Sequence, residues 1–149
     1  MTIKHQGGFL MSKIHHLSGR IFARMLKKRE IDINPAQGRI MFALWQEDVV
    51  PIRELAKETA LGKSTLTSML DRLEEAGLIV RERSGTDRRV ILVKRTEKDR
   101  SRQETYEQVS EEMSAIYYVG LTEAEIARFE RSLEKILGNL SRHERSDVG

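Results

Sequence analysis

Two adjacent arginines at a predicted β-turn give the sequence its clearest chemical signal. Arg88 and Arg89 follow Asp87 in a turn between two β-rich runs, residues 78–83 and 90–94. The narrow minor groove of DNA concentrates negative potential and attracts inserted arginine side chains. A carboxylate would repel phosphate, so we interpret Asp87 as an acceptor that holds a neighbouring arginine by a charge-assisted hydrogen bond. The alternative is a hairpin whose charges are merely solvated.

The segment before this hairpin has the pattern of an amphipathic helix, residues 64–76, that ends at Gly77. Thr65, Ser68 and Arg72 fall on the face opposite the leucines, because successive helix positions turn by about 100°. Short hydroxyl side chains can contact base edges, and cations suit phosphates. An ordinary solvated face is the alternative. The residues assigned to DNA contact are Lys63, Ser64, Thr65, Thr67, Ser68, Arg72, Arg81, Arg83, Asp87, Arg88 and Arg89, and Lys94 and Arg95 are expected to follow the DNA backbone.

The elements that must position these residues are mostly helical. Apolar spacing predicts a long helix over 9–29, and Asn34-Pro35 predicts an N-cap with proline at the first helical position. A proline-marked run, 49–52, is a candidate edge strand. A short helix over 52–61, broken by Gly62, precedes the 64–76 helix, and this pair indicates a helix-turn-helix.

Two further helices follow the hairpin. The first is predicted to begin at the cap residue Thr96 and to run to about residue 118. Thr122 and Glu125 form a capping box for the last helix. The fold class is therefore mainly α with a small β-hairpin wing. We assign 34–96 to a winged helix-turn-helix DNA-binding domain, and 1–33 with 97–149 to a helical dimerisation region. A monomeric bundle of the long helices is the alternative.

Composition limits the possible functions. Of the 149 residues, 39% are apolar and 33% are charged, and the absence of cysteine excludes disulfides, thiolate metal sites and cysteine redox sensing. The net charge of +3 divides into +8 over residues 1–102 and −5 over residues 103–149, so one part is suited to a polyanion. No apolar run is long enough for a membrane span and no signal peptide is recognisable, so a soluble cytoplasmic protein is expected.

The segment LAKETALGKSTLTSMLDRLEEAGLIVRERSGTDRRVILVKRTEK resembles the multiple antibiotic resistance regulator (MarR) family of winged-helix transcription factors. The Asp-x-Arg wing pattern is matched by Asp87 and Arg89. The resemblance implies a homodimeric regulator, held by its terminal helices, that binds a roughly palindromic double-stranded operator and inserts Arg89 into the minor groove. Many members have arginine where this chain has Ser68, so its operator preference should differ. Where members usually have leucine this chain has Arg95, which adds positive charge near the base of the wing and should leave the fold unchanged.

Family members commonly release DNA when a small phenolic or anionic ligand binds, which implies a repressor of that kind here. The candidate ligand-binding residues are His15, His16, Arg20, Met41 and Trp45, with Ile14 as a further candidate; Met41 and Trp45 could equally be core. A metal site and a cofactor are not expected, and the chain lacks the HExxH and GxxxxGK motifs and any recognisable catalytic constellation, so an enzyme is disfavoured. The competing function is a winged-helix module for protein assembly that does not bind DNA, although such a module has no need for two arginines at an exposed tip.

Overall fold

The computed structural model describes residues 2–148, which fall into two compact units divided between Glu111 and Glu112. The first unit contains the elements α1 (Gly7–Lys28), α2 (Pro35–Gln46), β1 (Val49–Pro51), α3 (Ile52–Thr59), α4 (Lys63–Glu75), β2 (Ile79–Arg83), β3 (Ile91–Arg95), α5 (Glu97–Arg100) and the start of α6 (Gln103–Tyr117). The second contains the end of α6 and α7 (Glu123–Val148). The mainly helical fold class predicted from the sequence is confirmed. The assignment of 34–96 to DNA binding and of the flanking regions to dimerisation stays a prediction.

The three strands form one antiparallel sheet in the order β1-β3-β2. The hairpin of β2 and β3 pairs Ile79 with Arg95 and Arg83 with Ile91, and β1 adds Val50 opposite Val93. The predicted edge strand is therefore present, with Pro51 at its end. Proline is tolerated there because an edge position requires fewer ladder hydrogen bonds.

Helix α2 begins at the N-cap Asn34, as the sequence predicts, and the structure shows in addition that Gln37 completes a capping box. The Asn34 side chain accepts from the backbone N–H of Gln37 at 2.8 Å, and the Gln37 side chain accepts from the N–H of Asn34 at 2.8 Å. Pro35 occupies the first turn, where its missing N–H leaves no bond unmade. Helix α2 is thus fixed at its start, and it carries five buried residues along its length.

The turn between α3 and α4 differs from the prediction in one respect. Gly62 was expected to break α3, but the left-handed residue is Ala60, with φ 56°. Gly62 has φ −64° and is instead the N-cap of α4. The turn is supported by Arg39, whose Nη1 donates to the carbonyl oxygen of Thr59 at 3.2 Å. This tertiary contact satisfies a carbonyl at the helix end and helps to hold the strained residue.

Helix α4 ends in the left-handed glycine that the sequence predicts. Gly77 has φ 78°, its N–H donates to Glu74 O at 2.9 Å, and the N–H of Leu78 donates to Leu73 O at 3.0 Å. This pair of bonds is a Schellman motif. The hydroxyl of Thr96 also donates to Gly77 O at 2.6 Å, so the end of α4 is tied to the segment that follows the hairpin.

One core runs through the first unit, between the helices and the inner face of the sheet. Its buried apolar side chains are Leu26, Ile31, Ile33, Ile40, Met41, Ala43, Leu44, Val50, Leu55, Leu66, Leu70, Leu73, Leu78, Ile79, Val93, Tyr106 and Val109. The predicted inward leucines of α4 are among them, which leaves the opposite face of that helix to solvent.

The segment after the sheet is divided, whereas the sequence predicted one helix from Thr96 to about residue 118. Thr96 does cap a helix, because its Oγ1 accepts from the N–H of Asp99 at 3.3 Å. That helix, α5, ends at Arg100, and α6 begins at Gln103 after a turn. Apolar periodicity alone does not locate such an interruption, because both pieces continue the same pattern.

In the second unit, the predicted capping box begins α7. The N–H of Thr122 donates to Glu125 Oε1 at 3.1 Å, and the N–H of Glu125 donates to Thr122 Oγ1 at 3.2 Å. The hydroxyl of Tyr118 donates to Glu130 at 2.9 Å. Across the described residues, no helix combines the length and apolar character that crossing a membrane would require.

Candidate nucleic-acid interface

The loop that joins β2 to β3, residues 84–90, is ordered by its own hydrogen bonds. The N–H of Ser84 donates to Val90 O at 2.9 Å, and the N–H of Val90 donates to Asp87 O at 3.0 Å. The Ser84 hydroxyl accepts from the backbone N–H of Thr86 at 3.2 Å. From the strand below, Arg83 Nη1 donates to Arg88 O at 3.0 Å. The tip is therefore shaped before any partner binds.

Asp87 holds Arg89 as the sequence predicted. Its Oδ1 accepts from the backbone N–H of Arg89 at 3.0 Å and from Nε at 3.2 Å, and its Oδ2 accepts from Nη2 at 3.3 Å. The first bond is an Asx-turn, which fixes the backbone; the other two orient the guanidinium group. The Arg89 side chain is nevertheless 90% exposed. A cation that is both oriented and solvent-facing is suited to meeting an anionic surface.

The same contacts lower the pKa of Asp87 below its ordinary value of 3.8, first through the side-chain bond to Arg89 and then through the Arg89 backbone N–H. A lowered carboxyl pKa in the folded state stabilises the fold above the unfolded value and loses that contribution as the pH falls through the folded value. The Asp87 carboxylate therefore stays charged throughout the neutral range.

Helix α4 presents the predicted polar face to solvent. The exposed positions are Lys63, Ser64, Thr65, Thr67, Ser68 and Arg72. The Thr67 hydroxyl donates to Lys63 O at 2.9 Å, which uses its proton and leaves its oxygen free to accept. Ser64, Thr65 and Ser68 are short, so a partner surface can approach the helix backbone closely here.

Arg81 has a different position from that expected of a DNA contact. Its Nη2 lies 2.7 Å from Asp71 Oδ1 and 3.0 Å from Glu74 Oε2, and its backbone N–H donates to Glu74 Oε1 at 3.0 Å. The hydrogen bonds to Glu74 and then to Asp71 raise the pKa of Arg81, and those to Arg81 lower the pKa of Glu74. Arg81 thus fastens β2, and with it the wing, to helix α4.

Of the two cations expected to follow the DNA backbone at the base of the hairpin, only Lys94 is accessible, and it pairs with Glu82. The prediction for Arg95 is wrong. Its side chain is only 3% exposed and its Nε donates to the fully buried Asp99 at 2.6 Å. A guanidinium group enclosed by such a partner cannot reach a phosphate.

A cleft of about 810 Å³ lies between α3, α4 and the hairpin, with Pro51, Ile52, Ala56, Leu66, Leu70, Val90 and Ile91 among its lining residues. It is also lined by the cations Arg53, Lys63, Arg81, Arg83 and Arg89. Sequence reasoning did not select Arg53, whose charge also helps to lower the pKa of Asp87. Its position in the sequence could have indicated a role, because Arg53 falls in the first turn of a predicted helix. The helix dipole disfavours a cation there unless an anion is nearby.

The candidate ligand-binding residues are divided between surface and core. His15, His16 and Arg20 are exposed on α1, together with Ile14, and His16 Nδ1 lies 2.8 Å from Ser12 O. Met41 is completely buried in the core. Trp45 is partly buried and stacks on Tyr106 with ring centroids 4.6 Å apart. None of these residues lines the cleft described above. Within residues 2–148, no group of three or more potential ligands is arranged to hold a metal ion.

Known proteins share this architecture. The MarR family model matches residues 33–91, which include the helix-turn-helix and most of the hairpin. The chain is 30% identical over 132 residues to the HTH-type transcriptional repressor IacR of Pseudomonas putida, covering 89% of this chain and 78% of that protein. It is 30% identical over 97 residues to the organic hydroperoxide resistance transcriptional regulator of Bacillus subtilis (strain 168), covering 65% of each.

A solved structure of a mutant MarR from E. coli complexed with operator DNA gives a TM-score of 0.77 at 28% identity, over 87% of this chain and 92% of that chain. The extent of the match to the repressor relative and the shared winged-helix fold lead to one assignment. The chain belongs to the MarR family of winged-helix transcriptional regulators.

Proposed function

We propose that this regulator binds a roughly palindromic double-stranded operator as a homodimer and acts as a repressor that a small ligand releases. The observation that carries the proposal is the geometry of Arg89, which Asp87 orients while 90% of the side chain remains exposed. An arginine inserted into the minor groove is attracted by the strong negative potential there. The family membership and the repressor relative support the same function.

Helix α4 would lie in the major groove. Its short hydroxyl side chains, Thr65 and Ser68 in particular, are solvent-exposed at the start of the helix and suit contact with base edges. Lys63, Arg72, Arg83 and Arg88 would neutralise phosphates, and we add Arg53 to this group because it lines the same cationic cleft. Arg81 we assign to holding the helix and wing together, since both of its carboxylate partners lie on α4.

The proposed dimer is supported by apolar side chains that each unit leaves exposed. On α1 these are Phe9, Leu10, Met11, Ile14 and Leu17; on the second unit they are Ile116, Tyr117, Val119, Leu121, Phe129, Ile136, Leu137 and Leu140. Apolar side chains repeated along a helix face indicate a surface that a partner covers. A second copy is the natural partner, because a palindromic operator requires two related recognition helices.

The effector would be a small aromatic or anionic molecule. The exposed His15, His16 and Arg20 offer hydrogen-bond donors and positive charge, and Trp45 offers an aromatic face. Met41 is enclosed by the core, so it would contact a ligand only if neighbouring side chains moved. The release of DNA would follow if the ligand favours a conformation in which the two recognition helices no longer match successive major grooves.

The proposal is tested by the substitution Arg89→Ala. An operator is first selected from random DNA by the purified wild-type protein, and affinities are then measured by fluorescence anisotropy at fixed salt. Loss of the minor-groove contact should weaken operator binding more than about tenfold. Sedimentation should show the same molecular mass for both proteins, because Arg89 lies at the wing tip rather than on an apolar helix face.

Arg100→Ala is the matched control, since Arg100 is also an accessible arginine but pairs with Glu97 on α5. It removes the same charge and should change the affinity far less. An Arg89→Ala protein that binds the operator as tightly as wild type at moderate salt would contradict the wing model. Failure of the wild type to retain any DNA would contradict the function itself.

A further inference from the structure

The base of the wing contains an ion pair that is enclosed by protein. Arg95 is the last residue of β3, and its Nε lies 2.6 Å from Asp99 Oδ2 on α5. The two side chains are 3% and 0% exposed. The Arg95 guanidinium also reaches Asp48 at 3.4 Å, and the Arg95 backbone N–H donates to Asp48 O at 3.3 Å. One side chain thus joins the end of β3, the residue before β1 and helix α5.

The surroundings of this pair come from two more helices. Trp45 of α2 and Tyr106 of α6 stack on each other beside it, and the Trp45 indole faces Asp99 without completing a hydrogen bond. Burial raises the pKa of Asp99, an effect opposed first by Arg95, then by the nearby Trp45 indole and, through its charge, by Arg102. Four elements of the first unit therefore meet at Arg95 and Asp99.

We propose that Arg95 and Asp99 are positioning residues for operator binding, which set the direction in which the wing leaves the body of the domain. The inference rests on the proposed DNA-binding function and deepens it. Neither residue would touch DNA, because both side chains are enclosed by protein. They act through β3, whose opposite end leads directly to the loop that holds Arg89.

The length of β3 explains why a change at Arg95 should affect DNA binding. From Arg95 to Ile91 the strand rises about 13 Å, at roughly 3.3 Å per residue. A rotation of about 10° at Arg95 would therefore displace the start of the wing loop by about 2 Å. Recognition sites need side chains held within about 0.5 Å of the productive geometry, so a displacement of this size would spoil the minor-groove contact.

The energetics also favour positioning over simple stabilisation. An ion pair withdrawn from water gains little net stability, because desolvation offsets the attraction, and apolar residues of similar volume often serve as well. Around this pair Arg95 Nη2, Asp99 Oδ1, Trp45 Nε1 and Tyr106 Oη have no hydrogen-bond partner among the described residues. Buried polar atoms without partners make this cluster less stable than an apolar core would be. The cluster does fix the direction of β3, because the planar guanidinium group must meet carboxylates from separate segments.

The test separates the direction of the wing from the stability of the fold by removing the charges of Arg95 and Asp99 together. Arg95→Leu alone leaves Asp99 buried without its partner and should lower the melting temperature. The double variant Arg95→Leu, Asp99→Ala should recover most of that loss, because no unpaired charge remains. Its affinity for the selected operator should stay about tenfold below wild type, because the wing is no longer aimed. Hydrogen exchange should be faster in the wing amides, residues 83–91, of this variant.

The matched control is Arg100→Leu, Glu97→Ala, which removes an exposed pair from the same helix α5 without changing the net charge. It should bind like wild type. Arg95→Lys provides a variant that keeps the charge but loses the planar fork, and it should fold and still bind more weakly. A double variant, or an Arg95→Lys protein, with wild-type operator affinity and wing exchange would overturn the proposal. If wild type binds no DNA, the proposed function fails, and wing exchange alone still decides whether the pair positions the wing.

Discussion

At the scale of single residues, Asp87 has two separable tasks. Its Oδ1 accepts from the Arg89 backbone N–H and so shapes the turn, while both carboxylate oxygens orient the Arg89 guanidinium. A negative charge near DNA would by itself weaken binding to any sequence. Asp87 therefore holds Arg89 in a defined orientation for one contact, and in exchange it weakens the attraction of the wing to DNA of any sequence.

The two tasks can be resolved with Asp87→Asn and Asp87→Ala. Asparagine retains an oxygen for the turn but loses the charge, so operator affinity relative to random DNA should fall about two- to fivefold, the range of an exposed ion pair. Alanine removes the turn bond as well, and the ratio should fall about tenfold in total. Anisotropy titrations with both DNAs measure this ratio. Glu82→Gln removes a carboxylate of the same hairpin that pairs with Lys94 instead, so an equal effect there would indicate that only net charge matters.

At the scale of elements, the end of α4 is the junction between the recognition helix and the wing. Gly77 adopts a left-handed conformation. The residues after the hairpin donate to the two carbonyls that follow the helix, Thr96 to Gly77 O and Lys98 to Ala76 O at 2.7 Å. Both contacts fix where β2 begins. The relation of helix to hairpin therefore depends on a backbone conformation that only glycine adopts at no cost.

Gly77→Ala should lower the free energy of unfolding by about 1 kcal/mol, through backbone strain alone. An added Cβ would meet only the Lys98 side chain, with Cδ at 3.6 Å and Nζ at 4.0 Å, so no steric clash contributes. Urea denaturation at one protein concentration measures the change. Gly85→Ala is the control, because nothing lies within 4 Å of its Cβ position and it does not need a positive φ. Equal stabilities of the two variants would show that the left-handed cap is not required.

At the scale of the whole molecule, charge and apolar surface are distributed differently along the chain. The balance of +8 over residues 1–102 contains the wing and recognition helix, whereas the following residues carry −5. The exposed apolar residues Leu137 and Leu140 lie on helix α7, within this acidic part of the chain. This distribution suits a basic part that meets DNA and an acidic part whose apolar stripe meets another copy.

The dimer is tested by Leu137→Glu combined with Leu140→Glu. The two side chains lie three residues apart on one helix face and are 64% and 62% exposed, so the charges should leave each chain folded. Sedimentation should then report a monomer, and operator affinity should drop more than about tenfold because the two half-sites are no longer bound together. Ala127→Glu is the control, because it adds a charge at an exposed position on the side of α7 away from this stripe, and it should preserve the dimer. Persistence of the dimer in the double variant would place the interface elsewhere.

The features that could be predicted from the sequence are those whose causes lie within a few residues. The capping box of Thr122 and Glu125, the glycine cap at Gly77 and the pairing of Asp87 with Arg89 all belong to this class. The position of Arg95 could not be predicted, because one of its partners, Asp48, lies 47 residues away. From the sequence, an arginine at the base of a basic hairpin is predicted to be a surface cation. Only the folded chain places Asp48 and the buried Asp99 against it.

The contact of Arg81 with Asp71 and Glu74 has a consequence for the kind of information this protein reads. Because the side chain bridges β2 and α4, it ties the wing to helix α4. In the proposed binding mode, the protein would then fix the distance between the major-groove and minor-groove contacts, and the DNA would have to match that distance. A half-site would then be defined by the spacing between its two groove contacts as well as by its bases. An operator that keeps the same bases but has one base pair added between the two contacts would bind poorly.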